Sequence, residues 1–157
     1  MKTVVLGALG LALAGCVALP YRDPVQPEVA EITFHNDGSG EGRAEIFAEA
    51  DDCQVRRQTP AIEPGGAVSA KLAAGRPLSF SLGYRVAGTS AKNCRVYATF
   101  SPLQQARYEA YIRPTQDGCR LALLESTDRK VGEGRPVTYR QREPAGAPLT
   151  EYSPYCR

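Results

Sequence analysis

Five cysteines are the residues of this chain with the most constrained chemistry. No two of them form a CxxC pair, and His35 is the only histidine, so their spacing indicates neither a zinc site nor a dithiol redox site. In an oxidising compartment four cysteines can form two disulfides, and the fifth thiol is then left over. The odd count therefore requires a separate role for one cysteine.

Cys16 is set apart from the others because it closes an uncharged apolar segment. Residues 4–14 contain only valine, leucine, glycine and alanine, and Lys2 precedes them. The segment ends in a Leu-small-small-Cys pattern formed by Leu13, Ala14, Gly15 and Cys16. This pattern resembles the lipobox of bacterial lipoproteins at all four positions. The resemblance implies cleavage after residue 15, a diacylglycerol on the Cys16 sulfur, and a fatty acid such as palmitate on the new amino group.

Other interpretations of this segment agree less well with its length. A transmembrane helix needs about 20 apolar residues, roughly twice what precedes Cys16. An ordinary secretory signal peptide would leave the thiol unmodified. The next residue is Val17 rather than aspartate, and by resemblance to lipoprotein sorting in Gram-negative bacteria this favours the outer membrane. We therefore expect a lipid-anchored protein on the periplasmic side of the outer membrane, with a covalent lipid on Cys16 and no cofactor.

Length and charge are those of one small domain. Removing fifteen residues from 157 leaves 142, and the formal charge falls from +2 to +1 when Lys2 is lost. Basic and acidic residues are mixed, so no nucleic-acid surface is predicted. The expected parts are a signal peptide (1–15), a lipidated Pro-rich tether (16–28), a folded domain (29–127), and a Pro/Gly-rich tail (128–157) pinned by Cys156.

Hydrophobic residues recur with a period of two, which is typical of half-buried strands. Turn-forming residues separate the apolar runs, as in the segment NDGSGEG at residues 36–42. Such strands must cover their apolar faces, so we predict an all-β antiparallel β-sandwich of immunoglobulin or transthyretin type, with about seven to eight strands. A small β-barrel is the alternative. The seven strand candidates are residues 29–35, 44–49, 68–72, 78–86, 94–101, 108–113 and 119–123.

The four cysteines after Cys16 are expected to form two disulfides. If the last three strands form a meander, Cys94 and Cys119 begin their strands at one end of a sheet, with a strand between them. Their separation is then about 9–10 Å, whereas a disulfide tolerates at most about 7 Å between Cα atoms. A Cys94–Cys119 disulfide is therefore excluded, and two connectivities remain. Of these we expect Cys53–Cys94 with Cys119–Cys156 rather than Cys53–Cys119 with Cys94–Cys156.

Candidate catalytic and metal-binding groups are sparse. His35 would have to be the base of any Ser-His or Cys-His catalytic pair. By strand alternation it points away from its apolar neighbours, and the sequence contains no GxSxG motif to supply a nucleophilic serine. Glu45 and Glu49 share a strand face, which allows an acid pair for glycan hydrolysis, although that face is expected to be exposed. The loop at residues 37–41 offers oxygen ligands without the spacing of an EF-hand, so a plain turn explains it and no metal site is predicted.

Tyrosine and arginine give the only suggestion of a binding surface. Tyr97 and Tyr111 have outward parity on strands expected to be neighbours, beside Arg95 and Arg113. Tyrosine and arginine are enriched where proteins bind one another. We therefore expect a non-enzymatic binding or structural module of the envelope, with an envelope protein as partner. The alternatives are a glycan hydrolase using Glu45 and Glu49, and an immunity lipoprotein against a cell-wall-degrading toxin.

Overall fold

The computed structural model describes residues 19–85, 93–115, 118–126, 133–146 and 148–157. The expected signal peptide and Cys16 lie outside the described residues, so their assignment stays a prediction. Ten strands are described: β1 (Val29–Asn36), β2 (Gly42–Glu49), β3 (Gln54–Gln58), β4 (Ala67–Ala73), β5 (Leu78–Arg85), β6 (Asn93–Phe100), β7 (Arg107–Thr115), β8 (Gly118–Ser126), β9 (Gly134–Pro136) and β10 (Arg140–Arg142).

The strands form two five-stranded sheets. The first sheet has the order β4-β1-β7-β8-β9, and the second has the order β10-β6-β5-β2-β3. Neighbouring strands are antiparallel except β1 and β7, which are parallel. The predicted β-sandwich is confirmed, and the small barrel is wrong because the described strands belong to two separate sheets. All seven predicted strands are present, with β3, β9 and β10 in addition.

The core lies between the two sheets, on the faces that the period-two pattern marked as apolar. Ile32 and Phe34 of β1 and Phe80 and Leu82 of β5 are almost fully buried. Aromatic rings connect the layers: the Phe34 and Phe80 centroids lie 5.4 Å apart, and those of Phe100 and Tyr108 lie 5.1 Å apart. Burying these side chains contributes about 1.5–3 kcal/mol each. The alternation in sequence is therefore the direct cause of the two-layer packing.

The predicted disulfide connectivity is wrong in both pairs. Cys94 is bonded to Cys119, with Cα atoms 5.6 Å apart, and Cys53 is bonded to Cys156, with Cα atoms 5.3 Å apart. The meander premise failed because β6 belongs to the second sheet whereas β7 and β8 belong to the first. Cys94 therefore faces Cys119 across the sandwich instead of lying two strands away within one sheet. The expectation that all four cysteines form two disulfides is confirmed.

The C-terminal segment folds back on the outer face of the second sheet. Tyr155 and Cys156 pack there with Phe47, Cys53 and the partly buried Tyr97 in a second apolar cluster. The Tyr155 amide donates to the Asp52 carbonyl at 3.0 Å, and the Arg56 amide donates to the Glu151 carbonyl at 3.0 Å.

Within the described residues, the segment expected as a tail pinned by Cys156 packs against the sandwich. It supplies β9 to the first sheet, β10 to the second, and a cover for the outer face of the second.

Residues 19–23 lie on the domain instead of extending from it as a free tether. The Gln58 amide donates to the Leu19 carbonyl at 2.9 Å, and the Tyr21 amide donates to the Gln58 carbonyl at 2.7 Å. Further along, the Lys71 amide donates to Asp23 Oδ1 at 3.0 Å. Burial, with a smaller effect of Asp23, raises the pKa of Tyr21 to about 12. The segment thus closes one edge of the sandwich, beside β3 and β4.

We expect the double variant Cys53→Ser/Cys156→Ser to lose up to about 4.7 kcal/mol of unfolding free energy, because the bond closes a loop of roughly 100 residues. The comparison variant Cys94→Ser/Cys119→Ser opens a shorter loop, with a separation of 25 residues, and should lose about 3.5 kcal/mol at most. Urea unfolding measures both losses.

Amide hydrogen exchange distinguishes the loss of the Cys53–Cys156 bond from the loss of the Cys94–Cys119 bond. Only the first double variant should lose amide protection at Tyr155 and Arg157. Equal protection there in both variants would contradict the role given to the Cys53–Cys156 bond.

Candidate functional site

A polar groove of about 650 Å³ opens on the outer face of the second sheet. We call it the Glu45 groove, after the carboxylate at its base. Its walls come from four neighbouring strands and from the turn that precedes β2. The lining residues are Glu41, Arg43, Glu45, Arg56, Gln58, Gly83, Tyr84, Cys94 and Arg95.

Strand alternation places Glu45 at the base of this groove. Ala44 and Ile46 of β2 face the core, so Glu45 faces outward. The strand register puts Gln58 of β3 beside it on one side and Ser81 of β5 on the other. Although it points away from the core, Glu45 is only 1% exposed. The expectation that this carboxylate is exposed is therefore wrong.

Four donors surround the Glu45 carboxylate. Oε1 accepts from Arg56 Nη1 at 3.2 Å and from Gln58 Nε2 at 3.0 Å. Oε2 accepts from Ser81 Oγ at 3.0 Å and from Arg95 Nη1. A buried carboxylate is costly unless it is paired and hydrogen-bonded. Here both oxygens are satisfied, and two guanidinium groups balance the charge.

Gly83 allows Arg95 to reach Glu45 across β5. Gly83 pairs with Arg95 in the register of β5 and β6. A Cβ atom at this glycine would lie 3.1 Å from Arg95 Cβ, 3.2 Å from Arg95 Nε and 2.8 Å from the Cys94 carbonyl oxygen. A side chain there would push Arg95 away. The glycine therefore both forms the floor of the groove and fixes the path of Arg95.

Arg56 is held on its other side by the C-terminal segment. Its guanidinium lies 4.6 Å from the ring centroid of Tyr155, a cation–π contact. Burial raises the pKa of Tyr155, and it raises the pKa of Tyr97 as well, although Arg95 opposes the shift at Tyr97. Both phenols therefore stay neutral at physiological pH. The covering segment thus helps to orient one of the two arginines that bind Glu45.

Arg43 stands at the outer rim of the groove. Its Nη1 donates to Gln58 Oε1 at 3.1 Å, and its Nη2 pairs with Glu41 at 3.2 Å. The side chain is 42% exposed, compared with 36% for Arg95. Three arginines against two glutamates give the lining a formal charge of +1. The groove therefore presents partly exposed cations above a carboxylate that is already neutralised.

Glu45 and Glu49, the two glutamates considered for glycan hydrolysis, lie on the same strand but differ in burial. Glu49 is exposed, four residues further along β2, which places its Cα about 13 Å from that of Glu45. Asp51 and Asp52 are exposed in the turn after β2. Their backbone carbonyls accept hydrogen bonds from Arg142 and from the Tyr155 amide. Of these four acidic residues, only Glu45 lines the groove.

The predicted tyrosine and arginine face is divided between the two sheets. Arg95 and Tyr97 lie on the outer face of the second sheet, whereas Tyr111 and Arg113 lie on that of the first. The premise that their strands are neighbours is wrong, so the four residues do not form one surface. Arg95 lines the Glu45 groove. Tyr111 is 9% exposed and stacks on His35, with ring centroids 4.3 Å apart.

His35 and the loop at residues 37–41 lie near Tyr111 and Arg113, on the side of the first sheet. Desolvation lowers the pKa of His35, although Glu109 and Asp37 oppose the shift. Arg113 Nε pairs with Asp37 Oδ2 at 3.4 Å, next to the loop considered for calcium. In the described ranges, no three His, Cys, Asp or Glu side chains are grouped to hold a metal ion.

The sequence alone did not identify Arg43 and Gln58 as lining residues of the groove, or Ser81 as a hydrogen-bond partner of Glu45. Each side chain points to the outer face of its strand, as its partners on the neighbouring strands do. Alternation predicts this direction, but which outward side chains meet is known only once the strand order is known.

No protein-family model matches this chain, and a search of curated proteins finds no match either. Within the part of the chain that is described, no helix has the length and hydropathy needed to cross a bilayer.

We expect Glu45→Gln to lower the free energy of unfolding by about 3–5 kcal/mol, because it leaves Arg56 and Arg95 without their shared counterion. Urea unfolding of the variant and the wild type measures this loss. Glu41→Gln is the matched control: it removes an exposed carboxylate from the same groove and should cost less than about 1 kcal/mol. Similar losses in the two variants would contradict the structural role of Glu45.

Proposed function

We propose that this protein is a lipid-anchored bacterial lipoprotein of the outer membrane, facing the periplasm, and a non-enzymatic binding module of the cell envelope. Its anchor is the acylated Cys16, and its binding surface is the outer face of the second sheet around the Glu45 groove. The membrane is one partner, and an envelope protein contacting Arg95 and Tyr97 is the second.

The main support for a lipid anchor at Cys16 is that the other four cysteines are paired with one another. Cys53 is bonded to Cys156 and Cys94 to Cys119, so the chain has no cysteine left for Cys16. Two disulfides favour an oxidising compartment, where an exported protein seldom keeps an unused thiol. Lipidation gives the fifth cysteine a role, and the lipobox residues before it supply the required sequence.

The position of residue 19 supports an anchor that is short. The Leu19 carbonyl is already bound to the Gln58 amide on the edge strand β3. Cys16 precedes Leu19 by three positions, and an extended chain spans at most about 3.6 Å per residue. The lipid would thus be attached within about 11 Å of the domain. In this proposal the sandwich rests close to the bilayer with its β3 edge towards the lipid.

The state of Glu45 supports binding over catalysis. A general acid needs a carboxyl group able to hold and release a proton beside the substrate. The Glu45 carboxylate accepts hydrogen bonds from four donors, which occupy its roughly four lone-pair sites and leave no oxygen to contact a substrate. Such an arrangement fixes side chains in place, which suits recognition of a ligand by the surrounding arginines.

Metabolic labelling with an alkyne-tagged palmitate in a Gram-negative host tests the anchor. The wild-type chain should incorporate the label and fractionate with the outer membrane. Cys16→Ser should incorporate none, because serine lacks the sulfur that carries the diacylglycerol and the uncleaved residue 16 has no free amino group. The double variant Cys94→Ser/Cys119→Ser is the control, since it removes cysteines without touching Cys16, and it should still be labelled. Label retained by Cys16→Ser, or absent from the wild type, would contradict the proposal.

A further inference from the structure

We infer that the Glu45 groove binds the phosphate group of an anionic phospholipid headgroup next to the lipid anchor. This inference rests on the proposed function, because headgroups lie within reach only if Cys16 carries the lipid. It adds a second, non-covalent contact with the membrane, made by the folded domain itself.

The donors at the groove point to an oxyanion. A guanidinium group has five N–H donors in a planar fork, which matches the oxygens of phosphate. Arg95 bonds to Glu45 and Ser81 through Nη1 alone, and it also interacts with Tyr97. Arg43 uses one donor for Gln58 and one for Glu41. Both arginines therefore have donors beyond those that these partners occupy, on side chains that are about two-fifths exposed.

Charge balance within the groove also favours an anion. Glu45 neutralises part of the positive charge of Arg56 and Arg95, and it holds both side chains in place. The lining still has a net charge of +1. A site whose cations are held in advance loses less conformational entropy when a ligand binds. Glu45 thus acts as the internal counterion that orders the arginines for a second, external anion.

The path of the chain brings this groove to the membrane. Gln58 is the link, because its backbone bonds to Leu19 and Tyr21 while its side chain bonds to Glu45 and Arg43. The groove therefore begins on the strand that holds the anchoring segment, about one strand spacing of 4.8 Å from it. A volume of about 650 Å³ is within the range typical of small-ligand sites and suits a headgroup.

A titration of the mature lipoprotein in uncharged detergent micelles tests the inference. The probe is the short-chain anionic lipid dihexanoyl phosphatidylglycerol, followed by NMR of the arginine Nε–Hε signals. We expect saturable shifts at Arg43 and Arg95, and about tenfold weaker binding in Arg43→Gln, because a charge-assisted hydrogen bond is lost. Arg43 does not bond to Glu45, so this variant should remain folded.

Two further arms and one control variant decide the ligand class. Zwitterionic dihexanoyl phosphatidylcholine and inorganic phosphate should both bind more weakly than the anionic lipid. Arg113→Gln removes the same charge from the outer face of the first sheet and should leave the affinity unchanged. The inference is overturned if no arginine signal shifts, if Arg113→Gln weakens binding as much as Arg43→Gln, or if inorganic phosphate binds as tightly as the lipid.

Failure of this titration can be distinguished from failure of the proposed function. The intact mass of the purified chain reports whether Cys16 carries lipid, and it is independent of the groove variants. If the chain carries lipid but its arginine signals do not shift with phosphatidylglycerol, only the headgroup site is refuted. A chain purified without lipid refutes the anchor and, with it, the source of the headgroup.

Discussion

The buried carboxylate of Glu45 is the constraint on which the outer face of the second sheet depends. A charge at 1% exposure must be paired and hydrogen-bonded, or its desolvation would cost several kcal/mol. Its partners come from β3, β5 and β6, so these strands must keep their register for the pairing to form. A shift of one residue would turn every side chain of a strand to the opposite face. The Glu45 carboxylate thus fixes the register of β2, β3, β5 and β6 relative to one another.

The C-terminal segment completes this arrangement from outside the sheet. Its disulfide to Cys53 fixes the chain end, and Tyr155 then lies against the guanidinium of Arg56. Phe47, which would otherwise face solvent on the same side of β2, is covered by the same segment. The outer face therefore acquires a small apolar cluster beside a polar groove. This contrast in polarity is what distinguishes it from an ordinary solvated sheet surface.

Local pattern predicted the strands, but not their long-range partners. The alternation around Phe34, Phe80 and Tyr108 marked the core faces correctly, because the period of a strand is a property of neighbouring residues. The assignment of β6 to one sheet and β7 to the other depends on non-local packing. Because the disulfide prediction assumed that these strands are neighbours in one sheet, it was wrong as well. Glu45 was placed on the correct face, yet its partners Arg56 and Arg95 lie on other strands, 11 and 50 residues further along the chain. The candidate groove was therefore out of reach of any single-strand argument.

The Glu45–Arg95 pair acts as one energetic unit, and a double-mutant cycle measures that coupling most directly. The unfolding free energies of the wild type, Glu45→Gln, Arg95→Gln and the double variant give the interaction energy once other contacts cancel. We predict a favourable coupling of at least about 1 kcal/mol, as expected for contacting residues of one network. Losses that add to within about 0.5 kcal/mol would contradict it, because such additivity is the behaviour of independent sites.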